Sequence, residues 1–320
     1  MVIQVIFLIV GFILLIKGAD VFVDASSNTA RILKVSSLII GLTIVAFGTS
    51  MPEFAVSMKA MASGSGDIVL GNVIGSSIAN ILLILGVSSL FCKLKVSDNT
   101  IKKEIPIMIL ISTLFSVLLL DSIFNKSSIN ILSRQDGIVI LLFFIIFIYY
   151  LFTLIKTSNL NKKDEVVEKS KNSLIKSLLL IVVGLICVII GSNLVVESAV
   201  KIAAMLNVSE KVISFTIVAL GTSLPELVTS IISARKGKQG LLIGNIIGSN
   251  IFNIGIVLAV PTVIFGNINA VGFNYVDLMM LVLSSIILYL FAKHERFISK
   301  FEGIVLILLF VVYYTYLILI

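Results

Sequence analysis

At a fixed offset of 173 residues the chain repeats itself, and it does so inside apolar sequence. Residues 43–59 read TIVAFGTSMPEFAVSMK and residues 216–232 read TIVALGTSLPELVTSII, identical at ten of seventeen positions. The same offset carries 71–81 (GNVIGSSIANI) onto 244–254 (GNIIGSNIFNI), with eight of eleven identical. Gly11 falls on Gly184, Gly18 on Gly191, Asp24 on Glu197 and Val35-Ser36 on Val208-Ser209, so the repeat reaches beyond the motifs. Each copy sets a carboxylate, Glu53 or Glu226, directly behind a Gly-Thr-Ser-x-Pro break. An ionisable side chain deep in lipid costs about 3 kcal/mol even on lenient insertion scales. Two such residues in matched contexts point to one site built from two halves.

The surroundings are apolar enough for lipid to be the relevant solvent. Hydrophobic residues make up 58% of the chain and charged residues 13%, too few of the latter to cover a water-soluble domain of 320 residues. Apolar runs of about twenty residues recur throughout, each able to cross a hydrocarbon core of ~30 Å. Ten spans are read: 2–24, 36–60, 68–91, 105–120, 137–155, 174–197, 211–233, 240–265, 275–292 and 303–320. The first has no basic stretch ahead of it and no small-residue cleavage site, so it is expected to be retained as a helix. Between the fifth and sixth, Lys156 to Lys176 is the longest polar segment and reads as a linker.

The expected fold is therefore an all-α polytopic membrane protein of ten transmembrane helices. Residues 1–155 form a first five-helix repeat, 156–173 a linker and 174–320 a second repeat. Five is odd, so consecutive repeats enter the membrane from opposite sides, an inverted-repeat plan that places a substrate site near the midplane. Of the 24 basic residues, eighteen fall in one set of alternate loops and five in the other. The positive-inside rule then puts both termini outside and the linker in the cytoplasm. The net charge of +7 is topogenic on this reading and implies no nucleic acid. Asp20, Asp24, Glu197 and Lys17 lie nearer span ends, where snorkelling or pairing accounts for them. Without tryptophan, Tyr149, Tyr150, Tyr313 and Tyr314 are expected as interfacial anchors. Cys92 and Cys187 are isolated, and His294 sits among loop charges, so no zinc or histidine-based catalytic set can be assembled. Gly64-Ser-Gly66-Asp67 looks like the GxGD of intramembrane aspartyl proteases, but Asp67 lies in a short turn and no second aspartate accompanies it.

The motifs carry oxygen. Pro52 has no N–H, so a helical partner is lost behind it and carbonyls at Ala46, Phe47 and Gly48 are expected to be freed. Those carbonyls, the hydroxyls of Thr49 and Ser50 and the Glu53 carboxylate crowd into about two turns. Ala219, Leu220, Gly221, Thr222, Ser223 and Glu226 repeat the set. Such hard oxygens suit Ca²⁺ and similar cations. Asn72, Ser76 and Asn80 share one helix face by their spacing, as do Asn245, Ser249 and Asn253. Gly71, Gly75, Gly244 and Gly248 permit close helix approach beside them. A plainer reading also fits: Ser50-x-x-Glu53 and Ser223-x-x-Glu226 have the letters of a capping box.

At GTSMPE (48–53), GTSLPE (221–226), GNVIGSSIAN (71–80) and GNIIGSNIFN (244–253) the chain resembles the calcium/cation antiporter superfamily, which includes the sodium/calcium exchangers. It is most similar to the bacterial inner-membrane branch, which lacks a large regulatory loop. The resemblance implies ten helices with the four central ones around a cation cluster. It carries ligation of Ca²⁺ and Na⁺ onto Glu53 and Glu226 with the hydroxyls of Thr49, Ser50, Thr222, Ser223, Ser76 and Ser249. Of these, Glu53, Glu226, Thr49 and Thr222 are the metal ligands. Carbonyl ligation passes to Ala46 and Ala219, and polar ligation or gating to Asn80 and Asn253. Sodium/calcium exchangers commonly have aspartate at the position of Asn253, whereas both halves here carry asparagine. Two carboxylates balance one Ca²⁺ or two Na⁺, and protonation could also neutralise them.

The expected function is exchange of Ca²⁺ for Na⁺ by alternating access, with inorganic cations as cargo, the bilayer as surroundings and no cofactor. A monomer is expected to suffice, and the inner (cell) membrane is the expected location. Proton-coupled exchange of Ca²⁺ or Na⁺ is the near variant. A cation channel, which usually needs a symmetric pore, and an intramembrane enzyme, which needs a catalytic set, fit less well.

Overall fold

The computed structural model describes residues 2–120, 130–160, 171–206, 219–270 and 275–319. Seven helices among them are long and apolar enough to cross a membrane. They are α1 (Val2–Ile32), α4 (Gly66–Phe91), α6 (Arg134–Leu160), α7 (Lys171–Met205), α9 (Gln239–Phe265), α10 (Tyr275–Glu295) and α11 (Lys300–Leu319). A bent pair, α2 (Ser37–Thr49) and α3 (Met51–Ala62), passes the same test as one span broken by 44°. Helices α5 (Ile105–Leu119) and α8 (Leu224–Arg235) are shorter. The first part of the expected seventh span, up to 218, lies outside the described residues. The protein is a helical, polytopic membrane protein.

Most helices begin and end within a few residues of the sequence expectation. The exceptions are long ones. Helix α1 continues past residue 24 to Ile32, because its polar end is held: Asn28 Nδ2 donates to Ser177 Oγ of α7 at 2.8 Å, and Arg31 donates to Asn28 Oδ1 at 2.7 Å. Helix α6 runs to Leu160 and α7 starts at Lys171, so helix takes in both ends of the polar segment, and residues 161–170 lie outside the described ones.

Burial sorts the helices. The best-placed stretch of α9 is 94% buried and that of α4 72%, against 22% for α1. Helices α4 and α9 therefore form the centre, and the outer helices turn apolar side chains to lipid. Helices α1 and α7 run antiparallel with their backbones in contact. A Cβ on Gly11 would lie 3.0 Å from the Gly191 carbonyl oxygen, and one on Gly18 3.0 Å from that of Gly184. A similar seam joins α9 to α2, where a Cβ on Gly244 would meet the Leu38 carbonyl oxygen at 2.4 Å and one on Gly248 the Leu42 Cα at 2.9 Å. Gly75, expected to do the same, has no described atom within 4 Å of such a Cβ, and Gly71 is exposed. By the 173-residue offset, the partners of Gly75 would be Phe215 and Ala219; Phe215 lies outside the described residues, and the Ala219 side chain is likewise not described.

Two short antiparallel ribbons tie loops across the fold. Strand β1 (Leu94–Lys95) pairs with β4 (Phe297–Ile298), and β2 (Ile131–Leu132) with β3 (Ile268–Asn269). Two carboxylates not singled out from the sequence are buried at helix starts, Glu104 before α5 and Asp277 in α10. Tyr150 donates to Glu104, and Tyr313 donates to Asp277 at 2.9 Å. The expectation that these two tyrosines anchor at the membrane interface is thus corrected: a buried carboxylate needs a donor, and the phenols supply it. Tyr149 is exposed, and Tyr314 packs on the Phe310 ring.

Candidate functional site

Both motif helices break in the same way. Ser50 has φ −85° and ψ 5° and is followed by Pro52 in the first turn of α3. Ser223 has φ −89° and ψ 5° and is followed by Pro225 in the first turn of α8. Proline is tolerated there because the first N–H groups of a helix have no intrahelical acceptor. Glu53 and Glu226 occupy those first turns, and each is 1% exposed. No salt bridge among the described residues reaches either one.

The neighbouring central helices carry matched polar residues. Asn72 of α4 donates to Ser57 Oγ at 3.0 Å and to the Glu53 carbonyl at 3.0 Å. Asn245 of α9 donates to Ser230 Oγ at 3.3 Å. Ser57 and Ser230 are themselves 173 residues apart, so the two contacts are one contact made twice. Other bonds cross between the halves. Ser50 Oγ donates to Glu226 Oε1 at 3.2 Å, and Thr49 Oγ lies 3.1 Å from Asn245 Oδ1 and 3.0 Å from the Val45 carbonyl. Further along, α4 and α9 each contain a π-helical turn, Asn80–Leu85 and Asn253–Leu258, again at the same offset. Such turns widen the helix by one residue and recur at functional positions.

What remains unbonded defines the site. Both Glu53 oxygens, Glu226 Oε2, the hydroxyls of Ser76, Ser223 and Ser249, Asn80 Oδ1 and both ends of the Asn253 amide are buried without a hydrogen-bond partner among the described residues. Buried polar groups are paired in the great majority of cases, because an orphan costs about 1–3 kcal/mol and more when charged. Here most of the orphans are oxygens, and all come from the two motif pairs. That is the donor set of a hard cation.

The capping-box alternative fails at both breaks. Neither Ser50 nor Ser223 makes a side-chain cap bond. Real boxes exist elsewhere in the chain. Ser133 N donates to Asp136 Oδ2 at 2.8 Å, and Asp136 N donates back to Ser133 Oγ at 3.2 Å. Ser299 and Glu302 do the same at 2.7 and 3.3 Å.

Three expectations need correction. The Ala46 carbonyl is not freed: it accepts the Ser50 N–H at 3.1 Å, because the break falls at Ser50 and leaves the turn before it intact. Thr49 is fully buried but already bonded to Val45 and Asn245, while Thr222 is only half-buried. Ala219 opens a short helical turn, Ala219–Gly221, whose last carbonyl accepts from Ser192 Oγ at 3.1 Å. Thr222 lines a cavity of about 460 Å³ with Met51, Pro52, Ala55, Asn193 and Glu197. The sequence reading passed over Asn250 of α9, which accepts from Asn80 Nδ2 at 2.9 Å.

Comparison with known proteins agrees with this geometry. The family model described as sodium/calcium exchanger protein matches residues 3–153 and 176–319. The sodium/calcium exchanger MaX1 of Methanosarcina acetivorans is 30% identical over 339 residues, covering 96% of each chain. The putative antiporter CaxA of Alkalimonas amylolytica is 37% identical, covering 98% of each. A solved structure of the sodium-calcium exchanger NCX_Mj, soaked with 10 mM Na⁺ and zero Ca²⁺, superposes with a TM-score of 0.84 at 39% identity and 98% coverage of both chains.

Proposed function

Since the chain belongs to the sodium/calcium exchanger family, we propose that it is a secondary antiporter exchanging Ca²⁺ for Na⁺ across the membrane by alternating access. One observation carries the site assignment: two lysine-free buried carboxylates surrounded by orphaned oxygens from matched segments. Glu53 and Glu226 are the ligands for which the two cations compete. Ser50, Ser223, Ser76, Ser249, Asn80 and Asn253 complete the shell, with Thr49 and Thr222 at its edges and the Ala46 and Ala219 carbonyls behind them. Competition enforces exchange, since a doubly charged empty site should resist crossing while a neutralised one should not.

The architecture we infer is ten helices in two inverted five-helix repeats, 1–155 and 174–320, joined by a cytoplasmic linker at 156–173, with both termini extracytoplasmic. Contacts that exchange partners under the 173-residue offset support it. Gly11 meets Gly191 where Gly18 meets Gly184, and Gly191 and Gly184 are the copies of Gly18 and Gly11. The ribbons swap likewise, β1 with β4 and β2 with β3. In this orientation the Thr222 cavity opens outward. Its counterpart on the inner face would be flanked by Asp20 and Asp24, the offset partners of Asn193 and Glu197. There Lys236 is bonded to both, at 2.7 and 2.8 Å. The long helices α1 and α7 lie across both faces, and their glycine seam is a surface along which they could slide over the core.

The test is ⁴⁵Ca²⁺ uptake into Na⁺-loaded proteoliposomes. Uptake should need internal Na⁺. Uptake driven equally from K⁺-loaded vesicles by a pH gradient would replace this reading with a proton-coupled one.

A further inference from the structure

Asn250 holds no offset-related partner of its own kind, because Ser77 stands at that position in the first half. It is 1% exposed, between α4 and α5. Its Nδ2 donates to the Ser77 backbone carbonyl at 3.2 Å and lies 3.6 Å from the Met108 sulfur. A backbone carbonyl can only accept, so this contact fixes which end of the Asn250 amide is nitrogen. The other end, Oδ1, must then accept, and it does so from Asn80 Nδ2 at 2.9 Å. That fixes Asn80 in turn: its nitrogen is occupied, and its Oδ1 is the orphaned end. In the second half nothing comparable restrains Asn253, whose amide is unbonded at both ends among the described residues.

We propose that Asn250 is a positioning residue that locks the Asn80 amide with its carbonyl oxygen available to the cation, leaving Asn253 as the adjustable ligand of the pair. The proposal rests on the cation-site reading above. An unheld amide presents N–H to a cation in one of its two orientations, which repels it. A held one is a permanent oxygen. The two halves of the site are therefore chemically unequal despite identical asparagines, one fixed and one free to turn as Ca²⁺ and Na⁺ alternate with their different coordination demands.

The experiment measures the Ca²⁺ concentration for half-maximal uptake, and separately the Ca²⁺-dependent rise in melting temperature of the purified full chain. Asn250→Leu, similar in size and without hydrogen bonds, should weaken both by roughly 10-fold, as loss of an outer ligand support does, with maximal uptake less affected. The same change is then made in an Asn80→Asp background, where both ends of residue 80 are oxygen and orientation is irrelevant. There Asn250→Leu should cost nothing in Ca²⁺ affinity. An equal loss in both backgrounds would mean that Asn250 only packs the core, and no loss in either would also overturn the proposal. If Asn250→Leu does not survive purification, Asn250→Ala gives the same comparison. Glu53→Gln separates the two levels of argument. Retained Ca²⁺ binding in that variant removes the site itself, whereas lost binding with an additive Asn250 effect removes only the positioning role.

Discussion

Replacing Lys236 by methionine should shift the balance between the two faces of the transporter by a calculable amount. Lys236 sits in the turn after α8 and joins the core to α1 through two short ion pairs, with its side chain 25% exposed. Asp20 and Asp24 are about half exposed, so each pair is worth about 0.5–1 kcal/mol after screening, roughly 1–2 kcal/mol together. Methionine keeps the aliphatic stem and removes the charge, leaving two carboxylates one helical turn apart that repel by about 0.2–0.5 kcal/mol. At about 1.4 kcal/mol per factor of ten, the equilibrium should move roughly fivefold to thirtyfold away from the conformer closed at this face. Burial alone would lower the Lys236 pKa, but the bonds to Asp20 and Asp24 outweigh it and raise it. The lysine's contribution is thus complete below its unfolded value and is lost only as pH climbs through the raised one, so on the lysine side it is constant from pH 7 to 9. The assay is reaction of Ala55→Cys, on the Thr222 cavity, with a membrane-impermeant maleimide, in protein whose Cys92 and Cys187 are replaced by serine. Labelling should slow in Lys236→Met, recover in Lys236→Arg, and differ less from the parent at high salt. Unchanged or faster labelling in Lys236→Met would refute the reasoning.

Glu53→Gln and Glu226→Gln should each lower Ca²⁺ uptake at least 100-fold while the protein still elutes as a folded species on size exclusion; near-normal flux in either removes the site assignment. With two ionised carboxylates, one Ca²⁺ and two Na⁺ are charge-equivalent, so uptake should be indifferent to a clamped membrane potential. Asn253→Asp should make it voltage-dependent, and a parent protein already sensitive to voltage would disprove the charge count. Gly191→Ala should destabilise the α1–α7 seam by about 1–3 kcal/mol, because the new Cβ would lie 2.5 Å from the Leu15 nitrogen. A melting temperature and flux equal to the parent's would show that the seam is looser than its geometry.

Much of this was legible because the offset is a structural statement. Ser57 and Ser230 are identical positions of the repeat, and each receives the amide of Asn72 or Asn245. The same comparison hid Asn250, since its partner position holds serine and the asymmetry reads as drift. Glu104 and Asp277 are also 173 residues apart, both carboxylates and both buried. They were passed over because they stand beside loop charges, where Lys102 and Lys103 invite a solvated reading. Lys236 was counted among loop cations for the same reason. Local composition reports that a charge lies near a span end, and only the packing of α1 against α8 decides that it is bonded there.

The four Ser-x-x-Asp/Glu tetrads show where sequence reasoning stops. Ser133 with Asp136 and Ser299 with Glu302 close on themselves and start α6 and α11. Ser50 with Glu53 and Ser223 with Glu226 have the same letters and do not close. In the first pair of tetrads no proline follows the serine, and the N3 carboxylate has only its own backbone to meet. In the second pair, Pro52 and Pro225 follow the serine by two residues, and the Ser50 hydroxyl finds Glu226 from the other half instead. A capping box contributes about 1 kcal/mol to a helix start. Forgoing it twice, and burying two carboxylates with orphaned oxygens as well, is tolerable only where something of opposite charge shares the site. Local rules broken in pairs, at positions related by the repeat, are therefore the strongest mark of function that this chain carries.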